Sequence, residues 1–371
     1  MSIRLTAIRS RTDLARFRHY PYDRYREDPC WVPPLRLDQK MILDRDKHPF
    51  YLNATAEFFL AERNGRVCGR IAAIDNRAYR EYTGDNAGFF GFFETEDDPE
   101  TARRLLEAAA DWCAGRGLNA IQGPANPSTN YECALLVDAF DQPPAFMMPY
   151  NPPCYPAFIE AAGFGKVKDL FAFWLKDHGA FPEKLEKITD RVMQRAGLTI
   201  RTVRPGELRN ELERVFAVYN DAWQKNWGFV PMSREEMALL AENLKWVWDP
   251  RIILMAEVAG EPVGFLLAMP DLNRVLAHLD GRLLPLGWWR LLRQRRRLGV
   301  MRVLAMGFRR DYQNVGFAAA IYRDIIRLGR AAGYDRSEIS WVLEDNVLMV
   351  RAAEMLGSER YKTYRMYGRR M

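Results

Sequence analysis

The sequence predicts an α/β protein made of two copies of one module, each a mixed twisted β-sheet flanked by helices. Three observations carry this. The stretch "AERNGRVCG" (Ala61 to Gly69) is echoed by "AEVAGEPVG" (Ala256 to Gly264), with Ala, Glu, Gly and Gly at identical spacing and an offset of 195 residues. Each echo sits within an apolar strand, a glycine turn and a second apolar strand, "EFFLAERNGRVCGRIAAI" and "IILMAEVAGEPVGFLLAM". Each copy then reaches an amphipathic helix closed by glycine, "PETARRLLEAAADWCAGRG" and "GFAAAIYRDIIRLGRAAG".

The remaining elements keep the same order in both copies. A short strand follows the helix ("LNAIQG"; "RSEISWV"), then a short helix, then a final strand ("KDLFAFWL"; "YKTYRMYG"). Gly117 and Gly333 stand 216 apart, so the second copy carries 21 extra residues between hairpin and helix. These coincide with "GRLLPLGWWRLLRQRRRLG". The helical pattern "PEKLEKITDRVMQRAG" reads as a connector. The expected organisation is a first module over 1–178, a helical linker over 179–197, and a second module over 198–371 with a basic insert at 281–302. Ahead of the first hairpin, the proline-punctuated "YREDPCWVPPLRLDQKMILDRDKHPF" reads as a structured arm.

A chain of 371 residues is long enough to bury two cores. It has no run of eighteen apolar residues, and arginines stand early in "MSIRLTAIRSRTDLARFRHY" where a secretion signal needs an apolar stretch, so a cytoplasmic protein is expected. The five cysteines lie far apart with no CxxC and no histidine at ligand spacing; reduced thiols are expected, with neither a disulfide framework nor a metal site. The formal charge of +6 is unevenly placed. Nine arginines and no acid fall between Gly281 and Arg310, which leaves the rest of the chain net negative.

In the second copy "RVLAMGF" reads as a buried strand, and the turn to the next helix is Gln313, Asn314, Val315, Gly316, Phe317, Ala318. A helix N-terminus presents unpaired N–H groups and the positive end of its dipole, so a tight loop of small residues there can hold a phosphate. Q-x-x-G-x-A between strand and helix resembles the fingerprint of the Gcn5-related N-acetyltransferase (GNAT) superfamily, and the likeness extends over the second half. Asn346, with Gly357 eleven residues on, matches the superfamily's segment that closes the cofactor slot. The resemblance implies that the loop holds the pyrophosphate of coenzyme A, that the strand Met306, Gly307, Phe308 holds its pantetheine arm, and that Asn346 closes the slot. Two positions depart from the pattern. Ala353 stands where many members carry a tyrosine acid, and Ser358 stands where a phenylalanine is usual. A proton donor must therefore come from elsewhere.

The first copy differs at the equivalent loop. There "ETEDDPETA" places five acids (Glu94, Glu96, Asp97, Asp98, Glu100) where a pyrophosphate would sit, so this copy is expected to bind no CoA and to wall the acceptor site instead. Its proline-rich "GPANPSTNYECALLVDAFDQPPAFMMPYNPPCYPAFIEAAGF" carries polar groups that need buried partners, among them Asn130, Glu132, Tyr150, Asn151 and Tyr155. Asn130, Tyr150 and Asn151 are candidates for substrate contact. Taken singly, each reads first as a structural cap or turn former.

The insert concentrates Trp288 and Trp289 with Arg282, Arg290, Arg293, Arg295, Arg296 and Arg297. Such a pattern suits an anionic membrane surface or a solvated helix with tryptophans packed inward; an RNA backbone is the third and least favoured reading, so no nucleic-acid partner is expected. Phrases such as "NPPCYPAFIEAAGF", "LLPLGWWRLL" and "FRRDYQNVGF" resemble a bacterial group of two-module GNAT proteins that includes ceramide synthases. That resemblance implies transfer of a long acyl chain from acyl-CoA to the amine of a sphingoid base, without a metal. Candidate bases are Glu132, then Tyr155, then His278. The alternatives are an N-acetyltransferase of a small amine, an aminoacyl-tRNA-dependent transferase, and a non-catalytic CoA-binding protein.

Overall fold

Both glycine-centred echoes fold into two-residue hairpins of the same type. Asn64 and Gly65 have φ of 54° and 78°, and Ala259 and Gly260 have 51° and 81°. Positive φ at both central residues is the turn whose twist matches that of paired strands, and glycine at the second place lowers its cost. This computed structural model describes residues 2–371 apart from 180, 182, 295, 296, 314 and 315. The candidate positions Asn314, Val315, Arg295 and Arg296 therefore lie outside the described residues.

The first half runs β1 (Arg4–Ala7), α1 (Arg11–Arg24), α2 (Arg36–Ile42), β2 (Ala54–Arg63), β3 (Arg66–Asn76), α3 (Arg77–Thr83), β4 (Ala87–Thr95) and α4 (Pro99–Ala114). It continues with β5 (Ala120–Gly123), three two-residue strands β6 (Ala125–Asn126), β7 (Glu132–Cys133) and β8 (Leu135–Leu136), then α5 (Tyr155–Ala161) and β9 (Gly165–Leu175). The connector is α6 (Glu183–Ala196). The second half begins with β10 (Leu198–Thr202), α7 (Leu208–Ala222), α8 (Arg234–Leu244), β11 (Ile253–Val258) and β12 (Glu261–Pro270). After α9 (Asn273–Leu276) and α10 (Gly287–Gln294) come β13 (Val300–Phe308), α11 (Phe317–Ala331), β14 (Arg336–Leu343), α12 (Val347–Met355) and β15 (Glu359–Arg370).

One continuous sheet joins the halves, in the order β1-β2-β3-β4-β5-β15-β9-β14-β13-β12-β11-β10. The last strand of each half is exchanged. β15 pairs with β5 of the first half, β9 pairs with β14 of the second, and β9 and β15 run antiparallel beside each other at the centre. The arm also crosses the divide: the Arg36 N–H donates to the Gly281 carbonyl at 2.9 Å, and its guanidinium meets Asp280 at 3.0 Å.

Apolar residues at helical spacing on α4 (Ala102, Leu105, Leu106, Ala109, Cys113) pack against β3 and β4, and those on α11 (Ala320, Ile321, Ile325) fill the corresponding core of the second half. Each half has one parallel strand pair in the place that matters for a slot. β4 and β5 pair from Ala87/Ala120 to Phe89/Gln122, and β13 and β14 pair from Val300/Arg336 to Val303/Ile339. Beyond those points each pair separates.

Candidate functional site

In the second half the separating strands leave a cleft of about 140 Å³. Val303, Leu304, Ala305 and Met306 form one wall, and Ile339 to Leu343 with Asn346 and Met349 form the other. Its roof is aromatic: Tyr219 comes from α7, Trp223 from its C-cap, and Trp227 and Phe229 from the loop that follows. The first half supplies Thr129, Asn130 and Cys133. Past Val303 the β13 backbone has no partner from β14, so its peptide groups on that side face the cleft.

Beyond the cleft-lining part of β13 the chain reaches the N-terminus of α11, which has no side-chain cap. Gly316 is the N-cap, exposed, with φ of 85° and no side-chain cap. A serine, threonine or aspartate there would satisfy those donors with its side-chain oxygen; glycine leaves them without a side-chain cap among the described residues, where an anion can meet them. Gln313 holds the approach, donating from Nε2 to the carbonyls of Phe308 (3.1 Å) and Ala222 (3.3 Å). Phe317 stacks on Tyr312 with ring centroids 5.8 Å apart, and Phe308 packs against Phe317. Gly307 lies against α7, where an added Cβ would stand 3.0 Å from the Ala222 Cβ. Ala318 is partly exposed at the start of the helix.

The same two places in the first half are filled. Asp98 caps α4, accepting from the Thr101 N–H at 3.0 Å and pairing with Arg63, so the donors are met by the chain's own carboxylate. Such a cap stabilises a helix by about 1 kcal/mol. The wedge between β4 and β5 is closed by β6: the Asn126 Oδ1 accepts from the Phe92 N–H at 2.6 Å, and a Cβ on Gly91 would lie 1.8 Å from the Ala125 carbonyl oxygen. Acid at the loop was legible in the sequence. Closure of the wedge was not.

Of the residues singled out from sequence, Met306, Asn346 and Asn130 line the cleft. Asn346 also caps α12, accepting from the Met349 N–H at 3.2 Å. Asn130 is tied to the second half: its Nδ2 donates to the Val230 carbonyl at 3.1 Å and its Oδ1 accepts from Tyr219 at 3.4 Å. Glu132 stands beside the cleft residue Cys133, keeps some accessible surface, and makes no side-chain hydrogen bond among the described residues. Burial raises its pKa above the ordinary carboxylate range, and Arg302 partly offsets that.

Four candidates stand away from the cleft. Tyr155 is fully buried under α4; its hydroxyl donates to the Thr95 carbonyl at 2.9 Å and accepts from the Thr95 N–H at 2.7 Å, which makes it a post for the loop before α4. Tyr150 donates to Asp28 at 2.8 Å. Asn151 is buried and bridges Leu136, accepting from its N–H at 2.7 Å and donating to its carbonyl at 3.1 Å. His278 is exposed after α9. Sequence reasoning missed Trp223, Trp227, Phe229, Ser340 and Trp341. The crowding of aromatics in "YNDAWQKNWGF" was the available signal.

In the insert, α10 is anchored by Leu291, which packs with Leu272, Val275 and Leu276. Trp288 and Trp289 remain 48% and 51% exposed, and Arg282, Arg290, Arg293 and Arg297 all face solvent. The Arg293 guanidinium lies 5.0 Å from the Trp289 ring centre. No described helix is long and apolar enough to cross a membrane.

Paired α/β halves with a slot between diverging parallel strands, leading to an open helix N-terminus, define a tandem GNAT acyltransferase. Solved structures agree: a tandem GNAT protein from the clavulanic acid biosynthesis pathway matches 100% of this chain and 98% of its own, with a TM-score of 0.59 at 13% identity. A GCN5-related N-acetyltransferase from Anabaena variabilis covers 99% of this chain and 72% of its own, with a TM-score of 0.51 at 11% identity. At such identities the likeness is one of fold. The chain belongs to the family of the bacterial ceramide synthase of Caulobacter vibrioides, to which it is 35% identical over 367 residues, 97% of this chain and 95% of that protein. Protein YghO of Escherichia coli is 34% identical over 96% of this chain and 93% of its own. No protein-family model matches the sequence.

Proposed function

We propose that this protein transfers a long-chain acyl group from acyl-CoA to the amine of a sphingoid base. The observation that carries this is the contrast between the halves: one strand wedge is open and leads to an uncapped helix, the other is closed by Asn126 and capped by Asp98. In this reading the N–H groups after Gly316 take the pyrophosphate, the free edge of β13 from Leu304 to Met306 takes the pantetheine arm, and the first half walls the acceptor. The aromatic roof and the apolar Val342 and Met349 suit an acyl chain, and the ceramide synthase relative points the same way. A backbone N–H of β13 at the vertex end of the cleft, near Leu304, holds the oxyanion, and Glu132 takes the first proton from the ammonium.

The test pairs acetyl- and palmitoyl-CoA with long-chain and water-soluble amines and reads the products by mass spectrometry. Palmitoyl amides of long-chain amines are expected. Acylation of soluble amines alone would move the assignment to a small-amine acetyltransferase, and failure of every amine to release free CoA would leave a binding protein.

The half-exposed tryptophans and solvent-facing arginines of α10 support a second element of the reading, docking on an anionic lipid surface, which brings the enzyme to its lipid substrates. Each arginine near such a surface contributes about 1 kcal/mol, and the attraction fades as the Debye length falls from about 10 Å at 0.1 M salt to about 3 Å at 1 M. Trp288→Ala with Trp289→Ala should therefore lower the fraction sedimenting with phosphatidylglycerol vesicles, and 1 M salt should lower it further. Equal binding to neutral vesicles, or tighter binding to RNA than to vesicles, would count against a lipid surface.

A further inference from the structure

Ala353, where related enzymes place a tyrosine acid, is buried and carries no proton. The nearby hydroxyl of Ser358 is spent on the Ala353 carbonyl. Among the described residues lining the cleft, hydroxyls remain on Thr129, Tyr219 and Ser340. Thr129 donates to the Gly228 carbonyl at 2.5 Å and Tyr219 donates to the Asn130 Oδ1 at 3.4 Å, so both act as ties to neighbouring loops. Ser340 is different.

Ser340 is the first residue of β14 beyond its last pairing with β13, at Val303 and Ile339, and so sits at the vertex of the cleft. Its hydroxyl donates to the Oε1 of Glu338, two residues earlier on the same face of the strand, and accepts from the Nε of Arg302 at 2.9 Å. The Sδ of Met148 lies 3.4 Å from it. Glu338 takes a second hydrogen bond from the Tyr361 hydroxyl at Oε2, and stands 3.8 Å from Arg302. Glu338 and Arg302 are 1% and 3% exposed in their side chains. A buried ion pair is seldom a net gain in stability over apolar packing, because desolvation costs each charge several kcal/mol. Its place behind the one cleft hydroxyl wired to an ionisable group suggests chemistry.

We propose that Ser340 and Glu338 form a proton relay that carries the amine's second proton to the leaving sulfur. This rests on the acyl-transfer reading above. The acceptor arrives as an ammonium and gives its first proton to Glu132. The neutral nitrogen attacks the thioester carbon, the C–N bond forms, and the adduct holds one proton too many on nitrogen. That proton passes to the Ser340 oxygen as the Ser340 proton passes to Glu338. The C–S bond then breaks with its electron pair on sulfur, and the proton returns from Glu338 through Ser340 to give the thiol. Glu338 ends as it began, and the products are an amide and free CoA. Arg302 orients the Ser340 hydroxyl by taking its lone pair, which leaves its proton aimed at Glu338.

The experiment compares the wild type with Ser340→Ala, Ser340→Thr and Glu338→Gln, measuring kcat on palmitoyl-CoA and a long-chain amine, and CoA affinity by calorimetry. General acid–base steps contribute about 100- to 10,000-fold, so Ser340→Ala should lose at least about 100-fold in kcat. CoA affinity should stay within about 2-fold, since no pyrophosphate contact is touched. Threonine keeps the hydroxyl and should restore most of the rate, a rescue that a packing role would not give. Glu338→Gln should be as slow as Ser340→Ala, and the double variant no slower. Full kcat in Ser340→Ala, a threonine variant as slow as alanine, or a loss confined to KM would overturn the relay. Should Glu338→Gln fail to fold, the Ser340 pair decides alone. A wild type that makes no amide sinks the acyl-transfer reading and the relay together; an active wild type with an indifferent Ser340→Ala sinks only the relay.

Discussion

Gly316→Glu is expected to weaken acyl-CoA binding by about one to three orders of magnitude while the protein stays folded. The position is exposed, and among the described residues the nearest atom to a Cβ built there is the Val192 Cγ2 at 3.7 Å, so a side chain fits. Its φ of 85° adds backbone strain of about 1–2 kcal/mol for any residue but glycine, which lowers stability without abolishing the fold. The carboxylate would stand where a pyrophosphate meets the helix N-terminus. Two unit charges about 4 Å apart repel by about 1 kcal/mol in water and about 4 kcal/mol at the effective dielectric of a protein surface, and each 1.4 kcal/mol is about tenfold in affinity. Gly316→Ala carries the strain without the charge and should keep most of the affinity. Calorimetry with CoA separates the two. An unchanged dissociation constant in the glutamate variant would take the pyrophosphate away from this helix end, and full transferase activity would favour an aminoacyl-tRNA donor.

The repeat that led to this loop was legible because it is local. A two-residue turn leaves its glycine at a fixed place, and Gly65 and Gly260 both occupy the left-handed region. The charge contrast was legible for the same reason: Asp98 and Gly316 each stand as the residue before a helix, and one is an acid that caps its own donors. The exchanged strands were not legible. Whether "KDLFAFWL" pairs within its own half or with β14 depends on contacts more than 160 residues away in sequence, as in Phe173 with Ile339, and alternation of apolar residues is the same in either case. The aromatic roof was hidden because Tyr219, Trp223 and Phe229 have the spacing and character of ordinary core residues. Polar residues misled in the opposite way. Tyr155 and Asn151 drew notice as chemistry, yet their hydrogen bonds go to the peptide groups of Thr95 at the end of β4 and Leu136 in the short β8, where the strand ladder leaves backbone groups to be met by side chains.

Glu132→Gln is expected to lower kcat by about 100-fold or more and to remove the acid limb of its pH profile. The carboxylate has no side-chain hydrogen bond among the described residues, and its surroundings decide when it ionises. Burial raises its pKa, Arg302 from β13 lowers it, and Asp38 and Glu94 raise it; Cys133 beside it and Tyr364 of β15 are the further titratable neighbours. A base must be deprotonated to work, so the wild-type rate should rise with pH through a pKa above the ordinary glutamate value of about 4.3, and glutamine should flatten that rise. Stability gives an independent check with a fixed sign. A carboxylate whose pKa is raised on folding favours the folded state when protonated, so this contribution is present at low pH and lost as pH rises through the folded pKa. At neutral pH the ionised Glu132 is therefore a burden on the fold, and Glu132→Gln should unfold at the same temperature as the wild type or higher. A variant that is both slow and stable is the signature of a group kept for chemistry. One that loses activity only because it unfolds would return Glu132 to a structural role.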